Sequence, residues 1–312
     1  MSEPYDILVA GELNPDLILS DPDLEPKFGQ HETLVENATL TVGSSAAIFA
    51  CGAARLGLRV GFIGVAGDDL FGRFMLERLT ERGVDVSNVI IDLQTPTGIS
   101  VIFSRGTDRA ILTHLGTMDA LRAEHIPDTL LLQSRHLHVT SYFLQTALQP
   151  DLPDLFARAR SLDLTTSLDT NWDPDERWAG VETLLEHTTV FLPNEAEALS
   201  LTGLTDVREA AQSLATKAEI VTVKLGEQGS IACRDAEFEC ASSLLVTVAD
   251  TVGAGDSFNA GFLYGVLAGW DLQMSLQLGV VCGSLSTRAA GGVAAQPTLE
   301  DALFTLNTAK TP

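Results

Sequence analysis

Asp250-Thr-Val-Gly253-Ala-Gly255-Asp256-Ser-Phe-Asn-Ala-Gly261 carries more chemistry than any other stretch of the chain. Two glycines separated by Ala254 lead straight into an apolar run of helical pattern over residues 254–268. Several backbone N–H groups and a helix dipole then converge on one point, which is a natural anion site. Asp256 falls in the first turn, beside that anion. A carboxylate there is suited to take a proton from a hydroxyl that attacks phosphorus. Taken alone, the same aspartate is equally an acid favoured at a helix start.

Three other uses of the stretch fail on residue identity. A dinucleotide fingerprint needs a third glycine where Phe258 stands. A Walker A loop needs Gly-Lys-Ser/Thr, and none of Lys27, Lys217, Lys224 and Lys310 follows a glycine. Ser257 as a nucleophile would need a histidine base, and none follows His187.

Outward from this stretch, apolar runs of strand length (5–10, 60–65, 89–92, 136–140, 166–169, 189–192, 220–224) alternate with helical patterns. The helical patterns cover 46–56, 71–82, 152–161, 181–187, 207–217, 254–268 and 272–287. This alternation predicts one α/β domain over residues 1–312, a three-layer, mainly parallel sheet covered by helices. Segments 13–19, 33–41, 98–103 and 109–113 break it, because they read as strands with no helix between neighbours. The turn sequences DPDLEP and RGTDR sit within the two pairs. They predict a small antiparallel β lid, formed by residues 13–41 and 98–113, whose apolar face needs a partner.

The chain has 312 residues, 19 basic and 42 acidic, for a net charge of −23. Such a field repels nucleic acid and anionic membranes as main partners. Four cysteines without a CxxC pair give no disulfide framework and no structural zinc site. The start MSEPYDILVAGELN lacks a basic region ahead of a long apolar run, and the uncharged stretches 37–54 and 272–287 are interrupted by polar residues. No leader and no membrane span are therefore expected, and the protein reads as soluble and cytoplasmic.

Other residues carry weaker signals. Asn194 and Glu197, spaced i, i+3, share one face at a strand-to-helix junction, and their oxygens suit magnesium held through waters. An acid-rich first helical turn explains them as well. Lys224 ends an apolar strand and reads as an edge lysine, with Gly226 and Gly229 as turn glycines. Asn14 and Asp16 offer an amide and a carboxylate to vicinal hydroxyls, or form a turn about Pro15. His136 and His138 share one strand face without a third metal ligand, which favours packing or pocket lining.

Together these motifs, in this order, make the chain resemble the ribokinase-like, phosphofructokinase-B-type carbohydrate kinases over nearly its whole length. The signature is Asp250–Asp256. Gly43-Ser44-Ser45-Ala46-Ala47, Ala53-Ala54-Arg55-Leu56-Gly57 and Gly64-x-x-Gly67-Asp68-Asp69-x-x-Gly72 match the N-terminal glycine-rich segment. Pro193–Glu197 and Val223–Gly229 stand between. The resemblance implies that Asp256 is the catalytic base, with Gly253, Ala254 and Gly255 as anion hole for the γ-phosphate of ATP. It implies that Asn194 and Glu197 help place Mg2+ and the phosphates, and that Lys224, Gly226 and Gly229 line the nucleotide site. Asp250 and Thr251 match positions that hold a monovalent cation such as K+. Asn14, Asp16, Gly43, Ser44 and Ile48 fall at the sugar site, and lid-to-lid homodimers occur in many relatives.

Two departures from the family pattern matter. Many members read Gly-Gly-x-x-x-Asn where this chain has Gly43-Ser44-x-x-x-Ile48. Ribose is therefore expected to be a poor substrate, and a hexose, a deoxy- or acid sugar, or a polyol a better one. Several sugar kinases follow an Asp-x-Asn with an arginine near the phosphates; after Asp169-Thr-Asn171 this chain has Trp172 and Asp173, leaving Arg177 as a substitute. No basic cluster marks a phosphorylated acceptor. The expected function is an ATP-dependent sugar kinase. The alternatives are a nucleoside kinase of the same fold and a catalytically idle sugar or nucleotide sensor, against which the intact Gly253–Asp256 segment argues.

Overall fold

The computed structural model describes residues 4–105 and 108–309. Its strands are β1 (Ile7–Ala10), β2 (Pro15–Ser20), β3 (Asn37–Val42), β4 (Val60–Ile63), β5 (Val65–Gly67), β6 (Ile90–Asp92), β7 (Ile99–Arg105), β8 (Asp108–His114), β9 (His136–Thr140), β10 (Thr165–Asp169), β11 (Val190–Phe191), β12 (Ile220–Lys224), β13 (Ser230–Arg234) and β14 (Glu237–Ala241). The helices are α1 (Ser45–Arg55), α2 (Leu70–Glu81), α3 (Asp128–Leu131), α4 (Leu152–Ser161), α5 (Val181–Leu185), α6 (Glu195–Thr202), α7 (Val207–Leu214), α8 (Ala254–Leu267), α9 (Leu272–Ser286) and α10 (Leu299–Ala309).

The main sheet has the order β14-β13-β12-β11-β10-β9-β1-β4. It is parallel from β12 to β4, and β13 and β14 add an antiparallel edge. Its central strands are buried on both faces; β1 accordingly reads as an unbroken apolar run, while β9 also buries His136 and His138. Successive residues of β1 serve opposite layers. Ile7 and Val9 join the core made with α1, α2, α8 and α9, whereas Leu8 and Ala10 join the core made with α4 to α7.

The expected alternation holds, with local departures. The run 60–65 is two strands, β4 and β5, divided at Gly64, where a Cβ would lie 2.5 Å from the Gly11 carbonyl oxygen. β6 leaves the main sheet and pairs with β5 instead. The β13–β14 hairpin and helices α3 and α10 had no counterpart in the sequence reading; β14 is largely exposed and carries little apolar pattern.

The second sheet has the order β3-β2-β7-β8. Its outer pairs are antiparallel, as expected, but the central β2–β7 pair is parallel, so the sheet is mixed rather than wholly antiparallel. The two hairpins enter in the same direction because the chain between them runs through α1, β4 and α2, the crossover that a parallel pair requires. Strand β3 begins only at Asn37, four residues inside the expected 33–41 segment. Gly106 and Thr107 of the expected RGTDR turn lie outside the described residues. Among the described residues no helix is long and apolar enough to cross a membrane.

Candidate active site

The loop before α8 is built around Gly253, whose φ of 71° is the left-handed conformation that favours glycine. A Cβ there would also stand 2.7 Å from Gly292 Cα and 2.8 Å from Ile48 Cγ2. Gly253 caps the helix, and Asp256 follows in its first turn, buried. Asp256 forms part of the wall of a cavity of ≈ 290 Å³. The segment after β1 supplies Glu12, Asn14 and Asp16, the start of α1 supplies Ser44, Ser45 and Ile48, and the anion loop supplies Thr251, Val252 and Gly253. The small sheet covers the other side with Ser100 and Ile102 from β7 and Arg109, Ile111 and Thr113 from β8. The structure thus brings Asp256, Gly253, Thr251, Asn14, Asp16, Ser44 and Ile48 to one cavity beneath the lid, whereas Gly43, Ala254 and Gly255 do not line it.

The acceptor side is polar on one wall and apolar on the other. Gly43 admits no side chain, because its Cβ would overlap the Asp16 carboxylate. Asn14 Nδ2 donates to Asp16 Oδ1 at 3.4 Å, while Asn14 Oδ1 is buried with no hydrogen-bond partner. Burial, reinforced by Glu12 and Asp250 and opposed by Arg109, pushes the Asp16 carboxyl up to about 7. Ile48, Ile102, Ile111, Met118 and Leu144 make the apolar part of the lining.

Around Asp256 the electrostatics are dominated by buried carboxylates. Burial and then Asp169 push the Asp256 carboxyl well above the usual carboxylate range, while Lys224 and a hydrogen bond from Ser45 hold it down. Lys224 is not an edge lysine. Its Nζ donates to Asp169 Oδ2 at 2.6 Å and to Asn259 Oδ1 at 3.4 Å, and Asn259 Nδ2 donates to the same Asp169 oxygen. Nζ also stands 3.6 Å from where a Cβ on Gly255 would be. A buried ammonium therefore lies beside the anion loop.

Asn194 and Glu197 form a reciprocal cap on α6: the Glu197 amide donates to Asn194 Oδ1, and the Asn194 backbone donates to Glu197 Oε2. Burial, followed by Asp169, raises the Glu197 carboxyl to about 7, with Lys224 opposing. Among the described residues no cluster of three or more His, Cys, Asp or Glu side chains forms a metal cage. Three carboxylates (Asp169, Glu197, Asp256) facing one ammonium nevertheless leave an uncompensated acidic site, which fits a hydrated divalent ion carried in on phosphates.

Other expected residues have different places. Gly226 and Gly229 shape the turn between β12 and β13, outside the cavity lining, and a Cβ on Gly229 would strike the Ala241 carbonyl. Asp250 is spent on the backbone, accepting from Val252 N at 3.0 Å and Gly291 N at 2.9 Å. Arg177 does not reach the site; its side chain is 78 % exposed and pairs with Asp175. His136 and His138 are core residues hydrogen-bonded to Thr165 and Ser167. The sequence reading missed Glu12, Ser45, Ser141, Asn259 and Arg109. Only Asn259, one helical turn after Asp256, carried a signal in its spacing.

Residues 5–299 match the model of the pfkB family of carbohydrate kinases. A 5-dehydro-2-deoxygluconokinase of Geobacillus thermodenitrificans is 29% identical over 317 residues, covering 96% of this chain and 92% of its own. A 2-dehydro-3-deoxygluconokinase of Bacillus subtilis is 32% identical over 269 residues, covering 80% and 82%. Among solved structures, a candidate ribokinase II from E. coli in complex with ATP and Mg2+ superposes with a TM-score of 0.86 at 22% identity, over 97% of this chain and 99% of that one. The chain belongs to the pfkB family of carbohydrate kinases.

Proposed function

We propose that this carbohydrate kinase transfers the γ-phosphoryl group of ATP to a hydroxyl of a deoxy or acid sugar of hexose size. One observation carries the proposal: Asp256 and the N-terminus of α8 meet at the wall of a cavity whose far side is the lid. The acceptor hydroxyl would lie against Asp256, which takes its proton as the oxygen attacks phosphorus. The Gly253–Gly255 amides and the helix dipole face the transferring group, and Lys224 adds a fixed positive charge beside them. Mg2+ on the phosphates, near Asn194 and Glu197, would supply charge screening.

The acceptor class is drawn from the cavity and the relatives. Asn14 and Asp16 suit hydroxyls, and the apolar wall that includes Ile48 leaves no partner for a buried hydroxyl on that side, which favours a deoxygenated edge. Arg109 is the cationic side chain of the lining, and a single guanidinium suits a carboxylate. The two curated relatives are named for dehydro-deoxygluconates, which combine these features.

A coupled assay of ADP release over ~50 sugars, sugar acids and nucleosides tests the reading, with real substrates marked by KM values of roughly 1 μM–1 mM. Turnover of deoxy sugar acids with little of ribose is expected. Turnover confined to nucleosides would replace the reading with a nucleoside kinase, and binding without turnover would replace it with a sensor.

A further inference from the structure

Asn259 lies on α8 three residues after Asp256, one turn further along the same face. It is wholly buried, on a helix whose neighbouring positions Phe258, Ala260, Phe262 and Leu263 are buried and apolar. An amide in such a place costs stability unless both of its ends are paired. Both are. Nδ2 donates to Asp169 Oδ2, and Oδ1 accepts from Lys224 Nζ at 3.4 Å. Lys224 Nζ also donates to that same Asp169 oxygen at 2.6 Å, so the three side chains close a triangle. The other Asp169 oxygen, Oδ1, accepts from the Asn171 backbone N–H at 3.2 Å, which leaves Oδ2 for the triangle.

The residue type follows from donor and acceptor capacity. A carboxylate only accepts and an ammonium only donates, so the third corner must donate to one and accept from the other. An amide does both without adding charge. Aspartate there would set a like charge against Asp169, and leucine would pair with neither group. The ion pair alone leaves the ammonium free to turn about the line from Oδ2 to Nζ; the bond to Asn259 stops that turn. An ammonium has three N–H groups, and Asp169 and Asn259 are the acceptors of Nζ among the described residues, so one N–H is left over. Nζ stands 3.6 Å from the Cβ position of Gly255, in the anion loop. We infer that Asn259 is a positioning residue for phosphoryl transfer: its amide fixes the Lys224 ammonium against Asp169 and leaves the third N–H for the phosphoryl group at the Gly253–Gly255 loop. The inference deepens the kinase reading and rests on it for the group that the ammonium meets.

Asn259→Leu is the main variant, because leucine keeps the branched outline and suits a helix while removing both bonds. Asn259→Ala repeats the measurements if leucine is too large for the protein to fold. Two measurements are made at fixed pH. The first follows lysine ammonium groups of the unliganded protein by ¹H–¹⁵N correlation; the chain has four lysines, and Lys224 is assigned by the signal lost in Lys224→Gln. Hydrogen exchange of that ammonium should be faster by roughly fivefold or more in Asn259→Leu, the loss of about one hydrogen bond. The second is steady-state kinetics with the best acceptor. There kcat should fall by about tenfold or more, with the acceptor KM within about twofold, because Asn259 does not line the cavity. In a Lys224→Gln background, Asn259→Leu should lower kcat no further, since no ammonium is left to place. A structural role alone predicts a lower thermal midpoint with unchanged kcat per folded molecule. Unchanged exchange of the Lys224 ammonium, or an equal kcat loss in both backgrounds, overturns the inference. If no acceptor is phosphorylated yet the exchange quickens, the kinase reading fails and the anchoring of Lys224 stands; turnover with unchanged kcat in Asn259→Leu removes the inference and leaves the kinase reading.

Discussion

Lys224 Nζ and Asp169 Oδ2 are 2.6 Å apart at the ends of two strands, with side chains only 13% and 1% exposed. Asp169 keeps the ammonium charged despite burial, and the ammonium in turn favours the charged forms of the Glu197 and Asp256 carboxyls. Breaking a buried pair leaves a charge with no compensation. Lys224→Met should therefore lower stability by about 3 kcal/mol, read by urea unfolding. Adding Asp169→Leu should restore part of the loss, because the stranded carboxylate goes with it. Additive losses would show that the two do not act as a pair.

Asp256→Asn keeps the size and hydrogen-bonding reach of the side chain but removes the proton acceptor. We expect kcat to fall by ~10²-fold or more, with ATP affinity within a fewfold of the unaltered protein. Steady-state kinetics beside calorimetric ATP binding separate the two. Near-normal turnover would place the base elsewhere.

What the sequence discloses and what it hides follow from the range of the interactions. Asp256, Gly253 and Gly255 act through their own helix start, so their reading needs only local order. Arg109 and Ile111 reach the cavity because β8 pairs with β7, which lies beside β2, and no local pattern encodes that chain of pairings. The same holds for Asp169 and Lys224, 55 residues apart and joined only through the sheet order. The parallel β2–β7 pair escaped notice because each hairpin looks antiparallel from within. The β13–β14 edge lacked the apolar run that marked the buried strands.

The buried histidines predict acid sensitivity. His136 and His138 are fully buried, and burial holds both below 6.5, His138 at about 3. The unfolded chain takes up these protons as pH falls through 6.5, but the folded chain does so only near 3 for His138, so protonation favours unfolding throughout that window. Asp16 and Glu197, raised to about 7, act in the opposite sense, so a variant comparison is needed. His138→Phe keeps the ring packed against Phe49 and removes one titrating group. Its urea midpoint should drop less between pH 7 and pH 5 than that of the unaltered protein. Parallel pH profiles would mean that His138 titrates alike in both states.

The lid predicts an oligomer. Arg109, Ile111 and Thr113 of β8 line the cavity, so by strand alternation Leu112 belongs to the opposite face, where it is 63% exposed. A second lid packed on that face would cover it and form a two-fold dimer. Sedimentation equilibrium at micromolar concentration should give a dimer, and Leu112→Asp a monomer that retains the cavity. A monomeric unaltered protein would remove the dimer and leave the lid in place.

The last prediction concerns Ile48, which is buried between the anion loop and the cavity. Its Cγ2 lies against Gly253 and its Cδ1 against Gly292, so the side chain forms a wall shared by the acceptor site and the anion loop. An apolar wall offers nothing to a buried hydroxyl, and a hydroxyl left unpaired there costs about 1–3 kcal/mol. Ile48→Asn supplies an amide on the same wall, which should raise kcat/KM for ribose by about tenfold or more and lower it for a deoxy acceptor. The exchange also removes packing from the core, so a loss of ~2 kcal/mol in stability is expected and the assay must run well below the new midpoint. Arg109, across the cavity, is untouched, and its contribution to a carboxylate-bearing acceptor should persist in the variant. Unchanged ribose turnover in a folded Ile48→Asn protein would show that this wall does not set the preference. Efficient ribose phosphorylation by the unaltered protein would show that no such preference exists.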